Sequence, residues 1–229
     1  MTSRELVVCE VEPWTTHEWL RKKHYAHAIP LIQFSFGLYY KGRMVGVCTM
    51  GPPPRVMNMG HSIFNGQLEI PTYELNRLVT NDNLPDNSLS YFVSRCLRMM
   101  PKPSVIVSYA DANQGHHGFI YQATSWLYAG ETLREPRYIN SQNGAVLHPR
   151  TVYSMFGTRD IKRMPSHIPI IKEDKPKHRY FKLNGTARQR KRMFKHFKYE
   201  HQSYPKGENT NYVPGQMDAT TQSFAGWFD

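Results

Sequence analysis

The sequence predicts an α/β protein with a mixed central sheet, helices on both faces of that sheet and a basic C-terminal extension. Three observations predict it. Apolar stretches of strand length alternate with longer stretches of helical period, the pattern of a sheet covered by helices. Residues 33–50 read as a hairpin, because alternating apolar residues flank the turn signal Lys41 and Gly42. Positive charge gathers at one end: residues 160–206 hold 14 Lys and Arg against 4 Asp and Glu, whereas the whole chain holds 29 against 18.

Residues 5–11 (ELVVCEV) form the first expected strand. Residues 14–28 follow as a helix, with Thr15 or Thr16 as its N-cap and Trp19 and Leu20 on its apolar side. That helix closes on Lys22, Lys23, His24, Tyr25 and His27, which fit substrate contacts and equally fit surface residues easing a helix C-terminus. Residues 55–66, with Met57, Met59, His61 and Phe64, read as an irregular loop. Residues 73–79 read as a strand, and regular alternation there would put Glu74 and Arg77 on opposite faces. After a turn cluster, Ser88 is the expected N-cap of a helix running to Met100. Pro101 and Pro103 lead into the apolar run Val105, Ile106 and Val107, which breaks at Ser108 into a polar loop. A helix over 118–126, a strand over 127–130 and a hairpin over 138–147 turning at Asn143 and Gly144 complete the order.

A chain of 229 residues buries one sizeable core, with room for an appended segment. No run reaches the ~18 apolar residues of a membrane span, and residues 1–14 lack the pattern of a signal peptide. Cys9, Cys48 and Cys96 show no CxxC spacing, which suits separate thiols in a reducing compartment. The net charge of +11, concentrated after residue 160, points to a polyanion, most simply nucleic acid. Residues 186–199 interleave cations with Met193, Phe194, Phe197 and Tyr199; on a helix Phe194 and Phe197 would share a face, leaving the cations to grip phosphates.

The run SYADANQGHHGFIYQATSWLYAGE at 108–131 resembles the signature of the Mom family of phage DNA-modification proteins. Supporting segments stand in the family's order: His24 and Tyr25, ELNRL at 74–78, HPR at 148–150, PKHRY at 176–180 and YPK at 204–206, so the resemblance spans residues 14–206. It implies a GNAT-like fold, which the order hairpin, strand, helix, strand, helix, strand suits. Three regions follow: a catalytic domain over 1–160, a DNA-contacting extension over 161–206 packed on it, and a polar tail over 207–229. The implied activity is conversion of adenine in double-stranded DNA to N6-carbamoylmethyladenine, using a small-molecule donor, which shields phage DNA from host restriction. The implied setting is the host cytoplasm, with no membrane partner; a homodimer is compatible with the sequence.

The residues that match the family's active site are His24, Tyr25, Arg77, Ser108, Asp111 and Tyr121. Arg77 and Ser108 are assigned to the donor. Asp111 is the expected general base, or the group orienting the amine, although by its place it also fits a plain helix cap. Tyr121 fits an acid, a proton relay or a metal ligand. The expected DNA contacts are Lys177, Arg179, Arg188, Arg190, Lys191, Arg192 and Lys195. His24, Asp111 and Tyr121 make a candidate iron set, imidazole with carboxylate. His116 and His117 would project about 100° apart on a helix, so they would not share an ion. Acetyl-CoA is a candidate donor, but the stretch where its pyrophosphate loop would fall, NDNLPDNS at 81–88, has no glycine. Two other readings stay open: an acetyl-CoA-dependent N-acetyltransferase acting on a protein, RNA or small amine, and a non-catalytic DNA-binding protein.

Overall fold

The computed structural model describes residues 5–207 except 54–59, 113–114, 134, 143–145, 148 and 166. Met57, Met59, the turn at Asn143 and Gly144, His148 and the tail beyond Gly207 lie outside the described residues. Strands β1 (Leu6–Glu10), β2 (Phe34–Tyr40), β3 (Arg43–Gly51), β4 (Thr72–Thr80), β5 (Ser104–Asp111), β6 (Leu127–Glu131) and β10 (Lys177–Asn184) form one sheet. Their spatial order is β1-β2-β3-β4-β5-β10-β6. The β4–β5 pair is parallel and the other described pairs in this sheet are antiparallel. A small second sheet, β7 (Glu135–Asn140), β8 (Val146–Leu147) and β9 (Ile170–Lys175), is covered by α5 (Pro149–Phe156), whose Val152 packs on Tyr138. The β2–β3 hairpin turns where expected, with Lys41 at φ 50° and Gly42 at φ 75°, the two positive angles of the tight hairpin turn.

Strand alternation sends neighbouring residues to opposite faces, and helices cover both. On one face Phe92, Val93 and Cys96 of α3 (Ser88–Met99) and Tyr121 of α4 (Phe119–Ala123) pack on Phe36, Cys48 and Ile106. On the other, Ile63 of α2 (Gly60–Ile63) and Met193 of α6 (Ala187–His196) pack on Val105, Val107 and Phe181. Trp19 and Leu20 of α1 (Pro13–Lys22) pack on Tyr39, Met44 and Val47. Burying each such side chain contributes about 1.5–3 kcal/mol.

Several expectations are corrected. Strand β10 lies between β5 and β6, in register with β5 from Lys177 opposite Asp111 to Asn184 opposite Ser104. The segment 161–206 is therefore not an addition to a finished 1–160 domain; it supplies an inner strand. Its cations hid that strand: Lys177, Arg179 and Lys182 are half-buried while His178, Tyr180, Phe181 and Leu183 are buried. The N-cap of α3 is Asn87, in the left-handed region at φ 62°, while the Ser88 hydroxyl donates back to the Pro85 carbonyl, in the turn that precedes the helix. Helix α4 has only five residues, because Ser125 turns the chain at φ 57° and Trp126 is buried in the core. On α6, Met193 is buried and Phe194 is 56% exposed; Phe197, past the helix end, packs on Phe181 with ring centroids 5.1 Å apart. Phe194 and Phe197 thus do not form one apolar face.

Candidate active site

Parallel pairing of β4 with β5 stops at Glu74 opposite Val107. Beyond that point β4 follows β3 to Thr80 and β5 follows β10 to Asp111, so the two strands part. At the fork Ser108 Oγ lies 2.8 Å from the Leu75 carbonyl and 2.7 Å from the Tyr121 hydroxyl. A carbonyl only accepts and Ser108 has one proton, so Ser108 donates to Leu75 and receives from Tyr121. This chain replaces the missing strand ladder and forms the floor of a cleft of about 1160 Å³.

His24, Tyr25, Arg77, Ser108 and Tyr121, five of the six expected site residues, line this cleft. Helix α1 ends at Lys22, so the next residues turn inward. Lys23 and His24 are buried and Tyr25 is half-buried, whereas Lys22 and His27 stay exposed at the helix end. His24 Nδ1 accepts the Ala26 amide at 3.0 Å, which leaves the ring proton on Nε2. Burial, with Arg77, His116 and His27 nearby, pushes its pKa down to about 3, so His24 is a neutral donor rather than a base. The Tyr25 ring lies 4.4 Å from the His24 ring and meets His116 edge-on at 5.6 Å.

Arg77 reaches the cleft through an irregularity. Thr49 pairs with Arg77 and Met50 with Leu75, which leaves Asn76 as an extra residue, a β-bulge. The bulge is held by Thr49 Oγ1 donating to Asn76 Oδ1 at 2.6 Å and by Asn76 Nδ2 donating to the Leu31 carbonyl at 3.1 Å. It resets the alternation and brings Arg77 to the cleft beside Glu74, where a regular strand would have separated them. Arg77 Nη1 donates to the Asn76 carbonyl at 2.7 Å and Nε to the Ala28 carbonyl at 3.3 Å, so Arg77 also ties the bulge to the loop carrying Tyr25.

Glu74 is the residue that sequence reasoning passed over. It is half-buried in the cleft, and burial pushes its pKa up to about 7 against the opposing pull of Arg77 and Lys177. The missed signal was the bulge that sets it beside Arg77. A carboxyl whose folded pKa is raised contributes full stability below its unfolded pKa, about 4.3, and loses that contribution as pH rises through about 7. Glu74→Gln is therefore expected to raise the melting temperature above pH 7 and to leave it unchanged near pH 4. A pH series of thermal unfolding checks this, and a variant less stable at pH 8 would contradict it.

Asp111 ends β5 opposite Lys177 and is not among the residues lining the cleft, unlike the other five expected site residues. Its carboxylate acts on His116, favouring the imidazolium against the stronger effect of burial. His116 and His117 both line the cleft. They precede α4 rather than belonging to a helix, so the 100° separation does not apply. Of the candidate iron set, His24 and Tyr121 line the cleft. Tyr121 is held protonated by burial and bonded to Ser108, and Asp111 lies off the cleft that His24 and Tyr121 share. Among the described residues no group of three or more His, Cys, Asp or Glu is placed to hold a metal. In the glycine-free loop, Asn83 and Asn87 take φ 59° and 62°, so asparagine supplies the left-handed turns. Asp82 lines that end of the cleft, and the Lys23 ammonium donates to Asn81 Oδ1 at 2.8 Å.

The expected DNA contacts separate into two groups. Lys177 and Arg179 line the cleft, and Arg179 Nη2 donates to the Ala129 carbonyl at 3.0 Å while its guanidinium sits 4.3 Å over Tyr199. Arg188, Arg190, Lys191, Arg192 and Lys195 are exposed on α6.

A forked mixed sheet with a polar cleft at the fork defines an α/β protein with an enzyme-type site. The chain belongs to the Mom protein family, whose model matches residues 5–206. It is 28% identical over 133 residues to the methylcarbamoylase mom of Escherichia phage Mu, a match covering 56% of this chain and 55% of that one. The match thus spans about half the length of that relative. Among solved structures, a histone acetyltransferase HPA2 and related acetyltransferase from Corynebacterium glutamicum is similar over 79% of this chain and 81% of its own, with 13% identity and a TM-score of 0.36.

Proposed function

We propose that this protein modifies adenine in double-stranded DNA to N6-carbamoylmethyladenine, working in the host cytoplasm to protect phage DNA from restriction. The observation that carries the reading is the cleft at the β4–β5 fork, where Tyr25, His24, Arg77 and Glu74 surround a floor fixed by Ser108 and Tyr121. Membership of the Mom protein family supports it. A base in the duplex is reached by extrusion into a pocket, and the volume of this cleft accommodates a flipped base together with a small donor. Tyr25 offers a ring for the base to stack on, and the His24 Nε2 proton offers a hydrogen bond to an acceptor on base or donor. Arg77, whose Nε and Nη1 are held by the Ala28 and Asn76 carbonyls, offers charge to a carbonyl or anionic group of the donor. Lys177 and Arg179 border the cleft, where they meet the backbone of the flipped nucleotide, and the α6 cations hold the flanking duplex. Among the described residues no helix is long and apolar enough to cross a membrane.

DNA from cells expressing the protein is expected to resist endonucleases whose recognition sites contain adenine. Complete cleavage, indistinguishable from DNA of cells without the protein, would contradict the reading. Acetylated protein beside unmodified DNA would favour an N-acetyltransferase instead.

A further inference from the structure

We infer that Glu74, not Asp111, is the carboxylate that takes the proton from the adenine amine as the new bond forms. The inference rests on the adenine-modification reading and adds to it the identity of the base. The exocyclic nitrogen is a weak nucleophile because its lone pair is shared with the ring, so the reaction needs a carboxylate inside the pocket that holds the base. Glu74 meets that need by position. It stands at the last parallel pair before β4 and β5 separate, it lines the cleft, and the bulge at Asn76 places Arg77 beside it. Asp111, three residues beyond Ser108 on β5, ends its strand opposite Lys177 and is not among the residues lining the cleft. Asp82 and Glu131, the other carboxylates lining the cleft, have side chains 59% and 53% exposed, so they lack the burial of Glu74, and two further groups beside it are already engaged. The lone pair of His24 is taken by the Ala26 amide, and Tyr121 already donates its proton to Ser108. Partial burial of Glu74 keeps its basicity near neutral pH, where a carboxylate in water would be too weak an acceptor.

The step balances. The amine nitrogen forms a bond to the methylene carbon of an electrophilic carbamoylmethyl donor, and the donor's bond to its leaving group breaks. The leaving group departs with the electron pair, and the nitrogen's proton passes to the Glu74 carboxylate. Arg77, adjacent to Glu74, steadies the carboxylate before transfer and the donor carbonyl during it.

The test is mass spectrometry of nucleosides from DNA of cells expressing wild type, Glu74→Gln, Glu74→Asp and Asp111→Asn at matched levels of folded protein. Glu74→Gln is expected to lower the modified fraction by about 10²- to 10⁴-fold. Glu74→Asp, which keeps a carboxylate, is expected to recover part of that loss, and Asp111→Asn to retain more activity than Glu74→Gln. Wild-type levels in folded Glu74→Gln, or a loss in Asp111→Asn equal to or greater than in Glu74→Gln, would overturn this assignment alone. No modified adenine with wild type would overturn the adenine reading and this assignment with it.

Discussion

Gly118→Ala is expected to destabilise the protein by about 2–5 kcal/mol and to abolish DNA modification, because two independent penalties fall at one atom. Gly118 takes φ 78°, a region that costs an L-residue about 1–2 kcal/mol. A β-carbon there would also collide with Tyr180 Cε2 and lie 2.7 Å from Tyr180 Cζ. The Tyr180 ring is fully buried and its hydroxyl donates to the His117 carbonyl, so it has no room to yield, and such overpacking costs about 1–3 kcal/mol. The strain falls where His116 and His117 lead into α4, which carries Tyr121 beneath the cleft. Urea unfolding measures the stability change; a loss below about 1 kcal/mol would show that the loop does not hold this geometry.

The second large effect is on DNA affinity. At 100° per residue, Arg188, Lys191 and Lys195 lie within about 60° of one another on α6, opposite the buried Met193. Arg190 lies nearer the sheet, with Nη1 donating to the Gly185 carbonyl at 2.6 Å. The triple variant Arg188→Gln, Lys191→Gln, Lys195→Gln keeps good helix formers and removes three cations from the outward face. If each meets one phosphate, the log–log salt slope of duplex binding falls by about 3, and affinity near 0.15 M salt drops about 100-fold. Fluorescence anisotropy with a labelled duplex across a salt series reads both. An unchanged slope would remove α6 from the DNA interface.

Much of the fold was legible because its signals are local. The hairpin at Lys41 and Gly42, the helix from Ser88 and the run at Val105 each follow from period and turn chemistry. Strand β10 was not legible, because an inner strand bearing Lys177, Arg179 and Lys182 looks like a nucleic-acid tail until its neighbours are known. Half-buried cations are tolerated there because Arg179 reaches the Ala129 carbonyl and Lys182 Nζ reaches the Thr124 and Ser125 carbonyls at the end of α4. Five of the site residues carried by the family resemblance share one cleft. Glu74 was missed for a physical reason: alternation was read as regular, and one bulged asparagine reverses it. Asp111 ends its strand beside residues that line the cleft without being one of them, a distinction that strand pattern alone does not show.

The most direct measurement is the mass of deoxyadenosine recovered from DNA of cells that express the full chain. The expected result is a nucleoside heavier by one carbamoylmethyl group on N6, absent from cells without the protein. Unmodified deoxyadenosine in cells containing soluble, folded protein would contradict the central claim.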